Sequence, residues 1–229
     1  MTAALPEPFR RKWRLAGTRT ERDTVAFLTI TAETTVFEHR ETADILGSTT
    51  SEIGVRSLLA VDLTFSPPLS RLGAGPERLL SLVTDNATDR FVEHLEDAGV
   101  TVVGERKTVE FDRGDGTAGN WYVFETSHPI ASSPDDGTCG ADESTAASMN
   151  GQQHTRLTTE THVAIWPTDE NFAMAGGTLP LERPPKEGTS SAKPIEVDPE
   201  RDRETIATFV RSRAMATVDV EGGAGREEE

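Results

Sequence analysis

The chain is poor in cysteine, lysine, isoleucine and tyrosine. Of its 229 residues, one is cysteine (Cys139) and one is tyrosine. A lone cysteine excludes an internal disulfide framework and a thiolate-rich metal cluster. No run approaches the roughly 18 consecutive apolar residues that a membrane-spanning helix needs. The only lysines are Lys12, Lys107, Lys186 and Lys193, against 19 arginines. Acidic residues outnumber basic ones 39 to 23, giving a formal net charge of −16. That balance excludes a strongly basic nucleic-acid binder.

An acid excess with few lysines suits a cytosol of concentrated salt. At about 1 M salt the screening length is roughly 3 Å, so surface carboxylates repel one another weakly. Their hydration keeps the surface wet where salt drives apolar association. The acids are spread along the chain, and the tail residues Glu221, Glu227, Glu228 and Glu229 supply only four of them. The composition therefore reads as that of an extreme halophile. Arg10-Arg11-Lys12 resembles a twin-arginine start. The segment after it, Trp13 to Arg22, is half polar, where a secretory leader carries an apolar stretch of about 7–15 residues. A cytoplasmic location is expected.

What is present is a β-rich pattern interrupted by two helices. Residues 11–22 and 24–38 read as extended, with Val25, Phe27, Leu28, Ile30, Val36 and Phe37 among many threonines. Residues 41–54 read as a loop with room for a short helix. Leu59, Val61, Leu63 and Phe65 alternate with Ala60, Asp62 and Thr64, a strand that Pro67-Pro68 stops. Pro76 opens a helix whose stripe is Leu80, Val83, Ala87, Phe91, Leu95 and Ala98, with Gly99 as its cap. Asp85-Asn86 is a candidate kink within it.

Strands resume at Val100, Val102 and Val103 and again at Val109 and Phe111. Asp115-Gly116 marks a hairpin turn, and Trp121-Tyr122-Val123-Phe124 belongs in the sheet interior. Residues 131–153 form a polar loop. Residues 157–166 form a strand, and Phe172 to Ala175 returns beside it. Gly176-Gly177 marks a bulge or a close backbone approach. Residues 180–196, with four prolines, form a second loop. Asp198 caps a last helix, with Pro199 in its first turn and Ile206, Phe209, Val210 and Ala214 on its buried stripe.

Helices separated by blocks of strands argue an α+β domain with a mostly antiparallel sheet packed by two main helices. One domain over residues 10–217 is expected, with flexible termini at 1–9 and 220–229. The element order resembles the Mog1/PsbP-like fold, an α/β/α sandwich. Within that group the chain is similar to uncharacterised haloarchaeal proteins. The segment that carries the likeness is His162-Val163-Ala164-Ile165-Trp166, a turn, Phe172 to Gly177, a proline-bearing loop and the helix around Ile206 to Val210. By element order it covers roughly residues 20–215. The resemblance implies a binding or accessory role, by analogy of fold alone. A helix-grip arrangement is the alternative architecture.

Chemical motifs are weak. His39, His94, His128, His154 and His162 have no short metal-ligand spacing, and no metal site or cofactor is expected. Asp112-Arg113-Gly114-Asp115-Gly116 lacks the terminal glutamate of a calcium loop. Ser127 and His128 are adjacent on a strand, so they point to opposite faces and cannot pair as nucleophile and base. Acidic neighbours suppress the thiolate of Cys139. Gly73-Ala74-Gly75-Pro76 has no lysine to hold a phosphate. No catalytic residue is assigned, and an enzyme is the least favoured reading.

Binding is the favoured one. Arg10, Arg11, Lys12, Trp13 and Arg14 form the one basic cluster of an acidic chain. Their alternative role is packing of arginine stems over Trp13 at the sheet edge. Trp166 beside Pro167 is expected as an exposed aromatic contact. Arg10, Arg11, Trp13, Arg14 and Trp166 are thus the candidate partner-binding residues. The partner is a protein or a second copy of the chain, and nucleic acid is disfavoured. A small-ligand carrier of the helix-grip kind is the rival.

Overall fold

The computed structural model describes residues 4–25, 28–46, 53–72, 76–112, 117–130, 155–184 and 195–219. Seven strands make one sheet: β1 (Trp13–Val25), β2 (Leu28–His39), β3 (Ser57–Ser66), β4 (Thr101–Asp112), β5 (Ala118–Ile130), β6 (Thr155–Pro167) and β7 (Phe172–Pro180). Their order is β1-β2-β3-β7-β6-β5-β4. Every pairing is antiparallel. Two meanders, β1 to β3 and β4 to β7, are joined along the β3–β7 seam. This is the α+β class that the pattern of blocks predicts.

Among the described residues the α-helices are three: α1 (Arg40–Leu46), α2 (Pro76–Asp97) and α3 (Pro199–Asp219). The two long ones cover opposite faces of the sheet. Period-2 alternation sends Leu58, Ala60, Ala164, Ala173 and Ala175 to the side where Ile206, Phe209, Val210 and Ala214 of α3 pack. It sends Leu59, Val61, Val163, Ile165, Phe172 and Met174 to the side of Phe91 and Leu95 on α2. Under α3 the sheet offers alanines, which lets the aromatic rings of Phe9, Phe37 and Phe209 fit between layers. Phe9 and Phe37 meet Phe209 edge-on, with centroids 5.6 and 6.2 Å away.

Strand β7 is buried along its whole length and runs on to Pro180, five residues beyond the expected end at Ala175. Gly176 and Gly177 lie in an unbroken register, so they mark a close approach and not a bulge. A Cβ on Gly176 would meet the His162 carbonyl oxygen, and one on Gly177 that of Ser57. The caps are as expected. Gly99 has φ +81°, its N–H donates to Glu96 O, and the Val100 N–H donates to Leu95 O. At α3 the Arg201 N–H donates to Asp198 Oδ1 over 3.1 Å.

Some details differ from the sequence reading. Helix α2 is unbroken through Asp85-Asn86, because Asn86 turns outward and its amide donates to Leu82 O. The strands expected at Val100 and at Val109 are one, β4, with two register irregularities. Packing also reaches back to Phe9, ahead of the expected boundary at residue 10. The loop expected over 131–153, residues 185–194 of the loop expected over 180–196, and the tail from residue 220 lie outside the described residues. Among the described residues no helix is long and apolar enough to cross a membrane.

Candidate functional site

The start of β1, the end of β2, the start of β3 and the start of α3 meet at one corner of the sheet. Backbone bonds hold them in place. The Arg40 N–H donates to Lys12 O over 2.9 Å, and the His39 N–H to Arg56 O over 3.1 Å. Between them lies a cavity of about 260 Å³ lined by Arg11, Lys12, His39, Arg40, Glu41, Thr42, Ile45, Arg56, Ile195, Glu196 and Arg201. Five cations and two carboxylates line it, the reverse of the balance in the whole chain.

The floor is ordered by Arg56, which is only 6% exposed. Its Nη2 donates to Asp202 Oδ2 over 2.7 Å and to Glu196 O over 2.8 Å. Its Nη1 donates to Thr42 Oγ1 over 3.3 Å. Its Nε is buried without a partner among the described residues. Burying such a group without a partner costs stability. Burial pushes the Asp202 carboxyl above its ordinary range, and the Arg56 guanidinium pulls against it.

The wall is His39, whose ring stands edge-on to Trp13 at 5.3 Å. The Thr42 N–H reaches its Nδ1 over 3.4 Å, so the ring proton belongs on Nε2. Burial brings this imidazole down to about 4, with Arg56, Lys12 and Arg201 adding to the effect and Glu41 opposing it. At neutral pH it is therefore an uncharged N–H donor. At the rim Arg40 Nε donates to Trp13 O over 3.2 Å, and Arg201 pairs loosely with Glu196 at 3.4 Å. Arg11 and Lys12 have no carboxylate in ion-pair reach among the described residues.

The sequence-derived candidates divide. Arg11 joins the cavity wall. Arg10 pairs with Glu7, and Arg14 with Glu38 at 2.6 Å and Asp44 at 3.0 Å, so both are occupied at the surface. Trp13 is 5% exposed and Trp166 fully buried. Neither ring can meet a partner. Trp166 fails as an exposed contact because the ring of Phe111 lies over it at 5.9 Å and β7 folds back along β6. His39, Arg40, Arg56 and Arg201 were not singled out as binding residues. They are far apart in sequence, and only the run Arg10-Arg11-Lys12 hinted at this corner.

A second polar cluster lies under α3. Trp121 Nε1 donates to His162 Nδ1 over 3.1 Å, and His162 Nε2 donates to Glu160 Oε1 over 2.8 Å. Arg203 grips both oxygens of Glu160, Nε to Oε1 at 2.6 Å and Nη2 to Oε2 at 3.0 Å. Burial raises the Glu160 carboxyl, but the bonds from His162 and Arg203 outweigh it and bring it to about 2. A histidine beside a carboxylate suggests acid–base chemistry. Here both ring nitrogens are occupied, so no basic nitrogen is free to take a substrate proton.

Ser127 and His128 point apart, as expected. The Ser127 hydroxyl accepts from Arg156 Nε at 2.9 Å, whereas His128 is fully buried with neither ring nitrogen bonded among the described residues. His154, Cys139, Arg113 to Gly116 and Gly73 to Gly75 lie outside the described residues. No group of three or more metal-ligating side chains occurs among those described.

The model of a domain family of unknown function, DUF6517, matches residues 3–213. The chain belongs to that family. No curated protein and no solved structure matches it. The DUF6517 match runs from ahead of Phe9 to Arg213, so every residue that lines the cavity falls inside it.

Proposed function

We propose that this chain is a non-enzymatic binding domain of a salt-adapted cell, docking an acidic protein partner at the cationic corner. The observation that carries the reading is the gathering of Arg11, Lys12, Arg40, Arg56 and Arg201 around one cavity in a chain of charge −16. Placing like charges together costs free energy, and that cost is offset when an anion binds. Arg56 is buried and so is screened little by bulk salt, whereas Arg11, Lys12, Arg40 and Arg201 are exposed around it and meet the partner first. Arginine suits this because its planar fork matches a carboxylate in two bonds at once.

The layering is supported as an α/β/α arrangement, and the Mog1/PsbP-like relationship is our reading of that layering. A helix-grip carrier would hold its ligand between the sheet and the last helix. That space is filled here by Phe9, Phe37, Phe209 and Ile206. The cavity at the corner is also polar, where a carrier of apolar ligands needs an apolar one.

The test is anisotropy of a labelled aspartate- and glutamate-rich peptide in concentrated potassium chloride. The wild-type chain binds it, and the double charge reversal Arg11→Glu, Lys12→Glu abolishes binding. Both positions are exposed, so the fold is retained. Equal binding by the two proteins, or no binding by either, overturns the docking reading.

A further inference from the structure

The charge count of the cavity is more specific than a general affinity for acids. Asp202 neutralises Arg56 at 2.7 Å. Glu196 pairs with Arg201 at 3.4 Å, and Glu41 is the third carboxylate at the cavity, against five cations. Two positive charges remain. A single carboxylate or a chloride leaves one of them uncompensated, and a dianion neutralises both.

The donors fit a tetrahedral oxyanion. Arg56 supplies a buried positive charge at the floor, held in place by Asp202, and His39 Nε2–H is a neutral donor. The rim adds the ammonium of Lys12, one of four lysines in the chain, and the guanidinium of Arg11. Thr42 Oγ1 is already held between Arg56 and His39, which fixes the floor before any ligand arrives. A volume of about 260 Å³ exceeds a bare phosphate group and leaves space for the carbon stem that carries it. Ile45 and Ile195 line that space with apolar surface.

We infer that the cavity between the start of β1, α1 and the start of α3 is a phosphoryl site that takes the dianion of a phosphate monoester. The inference rests on the docking reading only in placing the ligand in the same cavity. The phosphoryl group can be carried by a free small molecule or by a phosphorylated side chain of the partner, and the chemistry of recognition is the same.

Calorimetric titration in potassium chloride at constant ionic strength, at a pH where phosphate is doubly ionised, tests it. Inorganic phosphate binds one-to-one and at least about tenfold tighter than acetate. The His39 imidazole signals in NMR move with the same saturation. Arg11→Ala, Lys12→Ala weakens phosphate by at least about tenfold. Arg10→Ala, Arg14→Ala, which removes equal charge outside the cavity, leaves it unchanged.

Further arms assign the source. A phosphoserine peptide that outcompetes both its serine counterpart and glycerol phosphate places the group on a protein, and the reverse order places it on a free ester. Acetate binding as tightly as phosphate, or equal losses in the two double variants, overturns the phosphoryl site. Phosphate binding without binding of the acidic peptide overturns the docking reading alone, and the converse outcome overturns the phosphoryl site alone.

Discussion

Two ion pairs hold the first turn of α3 to the sheet, and they differ in how complete they are. Asp202 and Arg203 are neighbours in sequence. One reaches Arg56 ahead of β3 and the other reaches Glu160 on β6. Around Glu160 no buried polar atom is left without a partner: His162 bridges to Trp121, and the guanidinium binds both carboxylate oxygens. Around Arg56 the Nε is unbonded, burial works against the Asp202 charge, and unpaired cations face a cavity. A closed network does structural work only. An open one is kept at a cost to stability, and it is where we propose that a ligand completes the set. The enzyme-like pair of histidine and glutamate is thus the structural one, and the unremarkable arginine floors the candidate site.

The largest expected effect tests the open anchor. Arg56→Met leaves Asp202 buried without its cation and should cost about 3–5 kcal/mol in urea unfolding at constant potassium chloride. A loss below about 1 kcal/mol would show that Asp202 finds water or another partner, and would break the contrast.

Acid comes next, because the two anchors titrate in different windows. His39 and His128 are both held near 4, below their ordinary 6.5. For each, burial is the main cause. The unfolded chain therefore binds protons more readily than the folded one as pH falls. Their contribution is unaffected above about pH 6.5 and stability declines from there to about 4. For buried His128 the decline is about 3 kcal/mol, and for the half-solvated His39 it is less. The contribution of Glu160 is full above 4.5 and is lost as pH falls through 2. Hydrogen exchange followed along a pH series should show amides near His39 and His128 opening before those that flank Glu160. The opposite order would contradict the assignment.

Much of this frame is legible in the sequence. The alternation from Leu59 to Phe65, the stripe Ile206-Phe209-Val210-Ala214 and the caps Asp198 and Gly99 are local signals, and each does what its spacing predicts. The β3–β7 seam is not legible, since nothing in either strand names a partner more than a hundred residues away. The cavity is illegible for the same reason. His39, Arg56 and Arg201 come together only after the seam has formed. Trp166 misled because its sequence neighbour Pro167 suggests a strand end, while the residue that covers it, Phe111, belongs to β4.

Two smaller effects sharpen the contrast. Arg203→Met should cost about 2 kcal/mol, less than Arg56→Met, because Glu160 keeps its bond from His162. An equal or larger loss would reverse the ranking of the anchors. Thr42→Val removes the hydroxyl shared by Arg56 and His39 and should cost about 1 kcal/mol. It should also loosen phosphate binding by a few fold, whereas a change at Thr205, whose hydroxyl bonds Arg201 O on the exposed side of α3, should leave phosphate unaffected.

The seam has a kinetic consequence. Both long helices rest on a floor made half from β3 and half from β6 and β7. Neither floor exists until Ser57–Leu63 zips onto Phe172–Thr178, a pairing that closes a very long loop of chain. Loop closure of that length is entropically slow, and the reward in buried apolar surface arrives only afterwards. Refolding should therefore be limited by this single zipping event. Gly177, which lets β7 approach Ser57 at that line, should govern the rate at which the molecule assembles as well as how tightly it stays closed.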